Sequence, residues 1–134
     1  MSLQVLSITR LSAKEAESAV PELGTLLHAC VLDGASIGFV LPFSLDEAED
    51  FWRRHVLPDL FEGTRLLWVA QADGRIAGSV QLGCATLPNQ RHRADVNKLM
   101  VHPDWRRRGT ARALMRTLEE AALAQGCTLL TLDT

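Results

Sequence analysis

Tyrosine is absent from the 134 residues of this chain, aromatic residues make up only 5%, and no apolar run approaches the length of a membrane span. The first lack excludes a phenol from whatever proton chemistry the chain performs, and the last argues against a membrane protein. Cysteine is scarce. Cys30, Cys84 and Cys127 are odd in number and far apart, each in an apolar context, which reads as buried reduced thiols and not as a disulfide framework. They share no ligand spacing with His28, His55, His92 or His102, so no metal site is expected. The N-terminus, Met1-Ser2-Leu3-Gln4-Val5, lacks the basic segment and apolar core of a secretory leader, and the expectation is a soluble, cytoplasmic protein. Charge excess is missing as well: a net charge of −2 argues against a general nucleic-acid or membrane-surface binder.

What is present is an ordinary globular composition, 47% apolar and 22% charged, in a length suited to one domain over residues 1–134. Residues 3–8 read as a strand. Ser12 and Glu15 form a capping-box pattern opening a short turn, and a helix beginning near Pro21 carries the apolar stripe Leu23, Leu26, Leu27, Cys30 and Val31 up to a stop at Gly34. A second box, Ser44 and Glu47, opens a helix whose buried side is Leu45, Ala48, Phe51, Trp52 and Val56, with Pro58 kinking or ending it. Strands over 65–71 and 75–85 flank Asp73-Gly74, a strong hairpin signal. A polar link over 87–93 leads to a strand over 94–101. After Gly109, Ala111, Leu114, Met115, Leu118 and Ala122 recur at helical spacing until Gly126, and 127–132 is a short apolar strand. The order β-α-α-β-β-β-α-β predicts an α/β fold: a mixed, mostly antiparallel sheet flanked by helices. Trp52 and Trp68 read as core, and Trp105 as a brace for the loop that contains it.

That loop is the most informative stretch. Val101-His102-Pro103-Asp104-Trp105-Arg106-Arg107-Arg108-Gly109-Thr110-Ala111 joins the end of a strand to the start of a helix through three arginines and a glycine. N–H groups at a helix start have no partner inside the helix, and the peptide dipoles place partial positive charge there, so a polyphosphate can be held largely by main chain. Gly109 permits close backbone approach, and Arg106, Arg107 and Arg108 add charge around it. Positive charge is thus concentrated at one place on a mildly acidic body.

At these residues the chain resembles the GNAT superfamily of acyl-CoA-dependent N-acetyltransferases, whose pyrophosphate motif, Arg/Gln-x-x-Gly-x-Gly/Ala, is matched by Arg106, Gly109 and Ala111 after Leu99-x-Val101-x-Pro103. The segments at 34–39, 93–101 and 130–134 are most similar to tabtoxin-resistance-type acetyltransferases. The resemblance implies acetyl-CoA as cosubstrate, no metal, and a small-molecule amine as acceptor. The diphosphate is expected on the main chain of Arg106, Arg107, Arg108, Gly109, Thr110 and Ala111. The pantetheine arm is expected to pair like a strand with Leu99, Met100 and Val101, in a splay opened by the turn at Pro103, with an N–H near Met100 as oxyanion donor.

Asp95 stands where related enzymes carry a glutamate base; the alternative is a strand-entry aspartate paired with Arg91 or Arg93. Asp133 matches a second carboxylate of the tabtoxin-resistance branch. If the last two strands are level, Asp95 and Asp133 lie about 20 Å apart at roughly 3.3 Å per residue, too far to share one proton, which makes Asp133 an acceptor-amine contact or a group that supports one from behind. Gly34, Ser36 and Phe39 fall in the loop that lines the acceptor site in such folds, or in a plain helix connection. The fold would continue with a helix and two strands bringing a tyrosine near the departing thiolate. The expectation is therefore a chain truncated after its fifth strand, the alternative being a partner such as a second copy in a homodimer covering the apolar edge. Two other functions stay open: a catalytically weak acyl-CoA sensor, and a basic-loop nucleic-acid module, which net acidity opposes.

Overall fold

A computed structural model describes residues 6–34, 42–84, 93–126 and 129–132, with the side chains of Cys84, Arg93 and residues 129–132 outside the description. β1 (Ser7–Leu11) is followed by α1 (Ala13–Ser18) and α2 (Val20–Leu32). The strand expected over 3–8 thus runs later, to Leu11. β1 buries only Leu11 and is placed by main-chain pairing with β2, Ile8 opposite Ala70 and Leu11 opposite Leu67; local apolar content does not report that pairing. Both capping boxes form. Glu15 N–H donates to Ser12 Oγ at 3.1 Å and Ser12 N–H to Glu15 Oε1 at 2.9 Å, and α1 is a full helix, not only a turn.

The second box, in which Glu47 N–H donates to Ser44 Oγ at 3.1 Å, opens α3 (Leu45–Phe51). A π-helical turn (Trp52–Val56) and α4 (Leu57–Glu62) continue it. Pro58 has no N–H, and the widened turn, where Leu57 N–H donates to Trp52 C=O, absorbs the missing bond so that the helix continues past the proline. Ala48, Trp52 and Val56 are buried as expected. Leu45 is 41% exposed, because α2 and α3 meet a turn later, where Gly24 lies against Glu49.

β2 (Arg65–Ala72), β3 (Arg75–Cys84), β4 (Arg93–Val101) and, after a 3-10 turn (Pro103–Trp105) and α5 (Thr110–Ala124), β5 (Leu129–Leu132) complete a five-stranded sheet in the order β1-β2-β3-β4-β5. All neighbours are antiparallel except β4 and β5, which are parallel. Asp73 and Gly74 both take positive φ, 54° and 75°, the type I′ geometry that matches hairpin twist. The mixed, mostly antiparallel α/β architecture is therefore the one the sequence predicts.

Two apolar layers sandwich the sheet. Leu23, Leu26, Leu27 and Trp52 pack on Leu67, Val69 and Met100 on one face, while Leu114, Leu118 and Ala122 of α5 pack on Trp68, Val80 and Val96 on the other. The approach of α5 to the sheet depends on Gly78. A Cβ there would lie 2.7 Å from Met100 O, 3.2 Å from Leu114 Cδ1 and 3.3 Å from Thr110 Cγ2. Gly78→Ala should therefore destabilise the fold by about 1–3 kcal/mol through overpacking, read as a lower Tm in a thermal melt. An unchanged Tm would mean that α5 and β4 are not held at this spacing.

Candidate functional site

β4 changes sides along its length. Ala94 and Val96 belong to the layer under α5, whereas Met100 belongs to the layer under α2, although strict alternation puts all three on one face. The ladder to β3 gives the reason: Gln81 faces Asn97 and Ser79 faces Met100, so Lys98 and Leu99 both stand against Val80. The extra residue is a β-bulge, and Lys98 takes φ 52° to make it, a conformation costing a side-chain-bearing residue about 1 kcal/mol. The distortion within β4 thus lies at Lys98, ahead of the turn at Pro103 that was expected to open a splay.

β5 accompanies β4 only from Arg93↔Leu129 to Val96↔Leu132. From Asn97 onward the far edge of β4 has no strand beside it among the described residues. His102 N–H donates to Ala77 O at 2.8 Å, so by ladder alternation Met100 turns its main-chain groups toward β3, and Val101 and Leu99 turn theirs to the open edge. An N–H directed outward therefore belongs to one of Met100's neighbours. Cys30 Sγ donates to Val101 O at 3.4 Å. Burial pushes the Cys30 thiol up from its ordinary range, an effect the nearby Arg106 partly opposes, so the thiol is a neutral donor.

Beyond the edge the chain makes its basic turn. Asp104 N–H donates to His102 Nδ1 at 3.1 Å, and Thr110 Oγ1 donates to Trp105 O at 3.2 Å. The Arg108 guanidinium lies 4.8 Å from the Trp105 ring centroid, so Trp105 braces the loop as its position suggests. Arg107 and Gly109 take φ 63° and 78°. Gly109 stands at the N-cap of α5, where no side chain caps the helix and no acidic residue occupies the first turn. The first intrahelical bond is from Ala113 N–H to Gly109 O at 3.0 Å, leaving the N–H groups of Thr110, Ala111 and Arg112 without a partner in the helix. They face a cleft of about 250 Å³ bounded by Val101, Arg106, Arg107 and the first turn of α5. A Cβ on Gly109 would meet nothing within 4 Å. The glycine therefore serves the left-handed backbone and the open approach to these donors. Sequence reasoning missed Arg112, a cleft residue whose place in the same basic run was the available signal, and it missed Lys98, for which a lysine in a strand offers none.

Arg106 forms an ion pair with Asp33, the residue that ends α2. The pair ties the basic turn to the end of α2, next to Gly34, which has φ 86°. Ser36, Phe39 and Asp133 lie outside the described residues. Asp95 is exposed and has no ion-pair partner among the described residues; Arg91 and the Arg93 side chain lie outside them. Asp95 stands opposite Gly83 on β3 and Thr131 on β5. The strands are parallel and begin together, Arg93 opposite Leu129, which sets Thr131, two positions before Asp133, beside Asp95; the expected separation of about 20 Å concerns Asp133, which lies outside the described residues.

Residues 37–134 match the acetyltransferase (GNAT) family, and the chain belongs to that family. An uncharacterised N-acetyltransferase from the hisH-hisA intergenic region of Azospirillum brasilense is 37% identical over 103 residues, 75% of this chain and 58% of that protein. An acetyltransferase of Pectobacterium atrosepticum is 43% identical over 70 residues, 52% of this chain and 42% of its own length. The chain spans about half the length of these curated relatives. Among solved structures, an aminoglycoside acetyltransferase from an uncultured soil metagenomic sample, in complex with sisomicin, superposes with a TM-score of 0.70 at 18% identity, covering 96% of this chain and 77% of that one. A predicted acetyltransferase with acetyl-CoA from Clostridium acetobutylicum gives 0.68 at 12% identity, covering 97% and 81%. These likenesses show the fold.

The ion pair leads to a direct test of the cleft. Asp33→Asn releases Arg106 from a half-exposed partner, and affinity for inorganic pyrophosphate should rise about two- to fivefold, the range of a surface pair. Nuclear magnetic resonance titration measures it; weaker binding by the variant would show that Asp33 holds the loop in shape instead of competing for its arginine.

Proposed function

We propose that the protein transfers the acetyl group of acetyl-CoA to the amine of a small molecule by direct attack. The observation that carries this reading is the uncapped, acid-free start of α5 beside the edge of β4 that no described strand covers past Val96: helix N–H groups suited to a diphosphate next to strand groups suited to an extended amide-bearing arm. The residues present fit that cosubstrate. Arg106, Arg107, Arg108, Gly109, Thr110 and Ala111 take the diphosphate, with Arg112 added by the cleft, and Leu99 and Val101 take the arm along the edge while Met100 anchors β4 to the core. When bound, acetyl-CoA supplies an activated acyl carbon. An N–H on the open edge beside Met100 faces the oxygen that gains charge during attack, a contribution of about 3 kcal/mol in comparable sites.

An alkyl ammonium with a pKa near ~10 is mostly unreactive at neutral pH, so its proton must go to a base. Asp95, exposed on the same strand as the open edge, fills that role directly or through one water. Asp133 contacts the acceptor, and Gly34, Ser36 and Phe39 line its entry. No phenol in these 134 residues can protonate the departing thiolate. The likeness of the three segments to tabtoxin-resistance enzymes supports an amino-acid-like toxin or antibiotic as the acceptor, in a cytoplasmic setting.

Two variants separate donor binding from chemistry. Gly109→Val places a β-branched residue at φ 78°, a conformation such a residue rarely holds, and so shifts the backbone that opens α5; acetyl-CoA affinity should fall at least tenfold with the far-ultraviolet circular dichroism unchanged, and equal affinity would remove the cradle. Asp95→Asn should lower kcat most strongly below pH 8, where an ammonium acceptor needs a base, with acetyl-CoA affinity nearly unchanged. Unaltered turnover across that range discards Asp95 as base, and acetyl-CoA binding without thiol release on an amine panel favours the sensor reading.

A further inference from the structure

A second cavity shares no residue with the cleft at α5. It is a groove of about 350 Å³ where α1, the start of α2 and α4 meet, lined by Glu17, Val20, Arg53, Leu57, Pro58 and Phe61. The sequence accounts for its shape. Arg53, Leu57 and Phe61 recur every four residues along the π-turn and α4, and Val20 opens α2 against them. Val20 and Leu57 are buried and form a floor, whereas the Phe61 ring is 53% exposed. One wall of the groove is thus the widened turn itself, a distortion that recurs at binding sites.

The charge of the groove follows from what is already paired. Arg53 NH2 donates to Glu49 Oε1 at 2.9 Å, one turn back on its own helix. Glu17 has no ion-pair partner among the described residues, Lys14 one turn before it included, and the Phe61 ring has no ring or cation against it among them. Residues 45–62 also set six carboxylates, Asp46, Glu47, Glu49, Asp50, Asp59 and Glu62, against two arginines. The potential over this surface is therefore negative at neutral pH, and the unmatched group in the groove is a carboxylate.

We infer that this groove is a second binding site, separate from the acetyl-CoA cleft, and that its ligand is a small apolar ammonium, an aryl- or alkylamine. The nitrogen lies at Glu17, and the hydrocarbon covers Val20, Leu57, Pro58 and Phe61. A volume of about 350 Å³ stands at the lower end for small-molecule sites and limits the ligand to one ring or a short chain. An apolar carboxylate is repelled by Glu17 and finds Arg53 already matched. A neutral alcohol of the same shape gains the apolar contact alone. None of the lining residues belongs to the proposed acetyl-transfer machinery, so occupancy of the groove is measured without turnover.

The test is a magnetic resonance titration of the whole chain, without acetyl-CoA and at low ionic strength, where a surface charge is least screened. The probes are 2-phenylethylamine, 2-phenylethanol and 3-phenylpropanoate. The amine should shift the amide signals of Glu17, Val20, Leu57 and Phe61, with a Kd about two- to fivefold below that of the alcohol, the range of one surface charge contact, and the carboxylate should bind most weakly. Glu17→Gln should raise the Kd of the amine to that of the alcohol and leave the alcohol unchanged. Phe61→Ala should weaken both by a similar factor, about fivefold for a half-exposed ring. Both side chains are exposed, and thermal melts check that the variants fold. Equal affinity of wild type for the three probes, tighter binding of the carboxylate, amine-induced shifts that miss the groove, or an amine Kd untouched by Glu17→Gln each overturns the inference.

Discussion

Every main-chain N–H and C=O must find a partner or face water, and β4 meets that constraint with three different neighbours. β3 runs along one edge, β5 covers the other as far as Val96 among the described residues, and beyond that point the groups of Leu99 and Val101 are turned away from β3. The bulge at Lys98 makes this division workable, since it lets Met100 lock into the core beneath α2 while the residues before it serve the opposite layer. The exposed edge and the uncapped start of α5 then lie next to one another, because only Pro103 to Gly109 separates them.

The sheet divides labour between its faces. The α5 side is apolar throughout its interior and holds the helix whose first turn bounds the cleft. The α2 side carries the chemistry-bearing groups: Cys30 against Val101, the Arg65–Asp59–Gln81 cluster, Asn97 and Asp95. Placing polar groups on a single face leaves the other free to fix geometry by close packing, and Gly78, where strand, strand and helix converge, shows how tight that packing is. The Arg106–Asp33 pair joins the end of α2 to the basic turn across this boundary, so the two loops that the proposed reaction needs are electrostatically connected.

Much of this was legible from one-dimensional patterns. Ser12, Glu15, Ser44 and Glu47 announce their helices because a cap is a local contact three residues long. Asp73-Gly74 announces its hairpin because few residue pairs tolerate two positive φ values, and the apolar residues at helical spacing after Gly109 announce α5. The unread features depend on partners far away in sequence. β1 sits later than its apolar residues suggest because β2 dictates its register. Leu45 is exposed because α2 and α3 cross elsewhere, and the π-turn before Pro58 arises from a missing donor that the helix had several ways to accommodate.

The amino-acid order by itself determined the class of fold, the succession of helices and strands along the chain, and the uncapped glycine start of α5, since each follows from interactions within a turn or two of the chain. Only the tertiary structure decided that β4 bulges at Lys98, that Val101 and not Met100 turns its main-chain groups away from β3, and that Asp95 lies beside Thr131. Those outcomes turn on the register between strands. Shifting a strand by one residue exchanges its two faces, and that choice is made by the packing of both layers together.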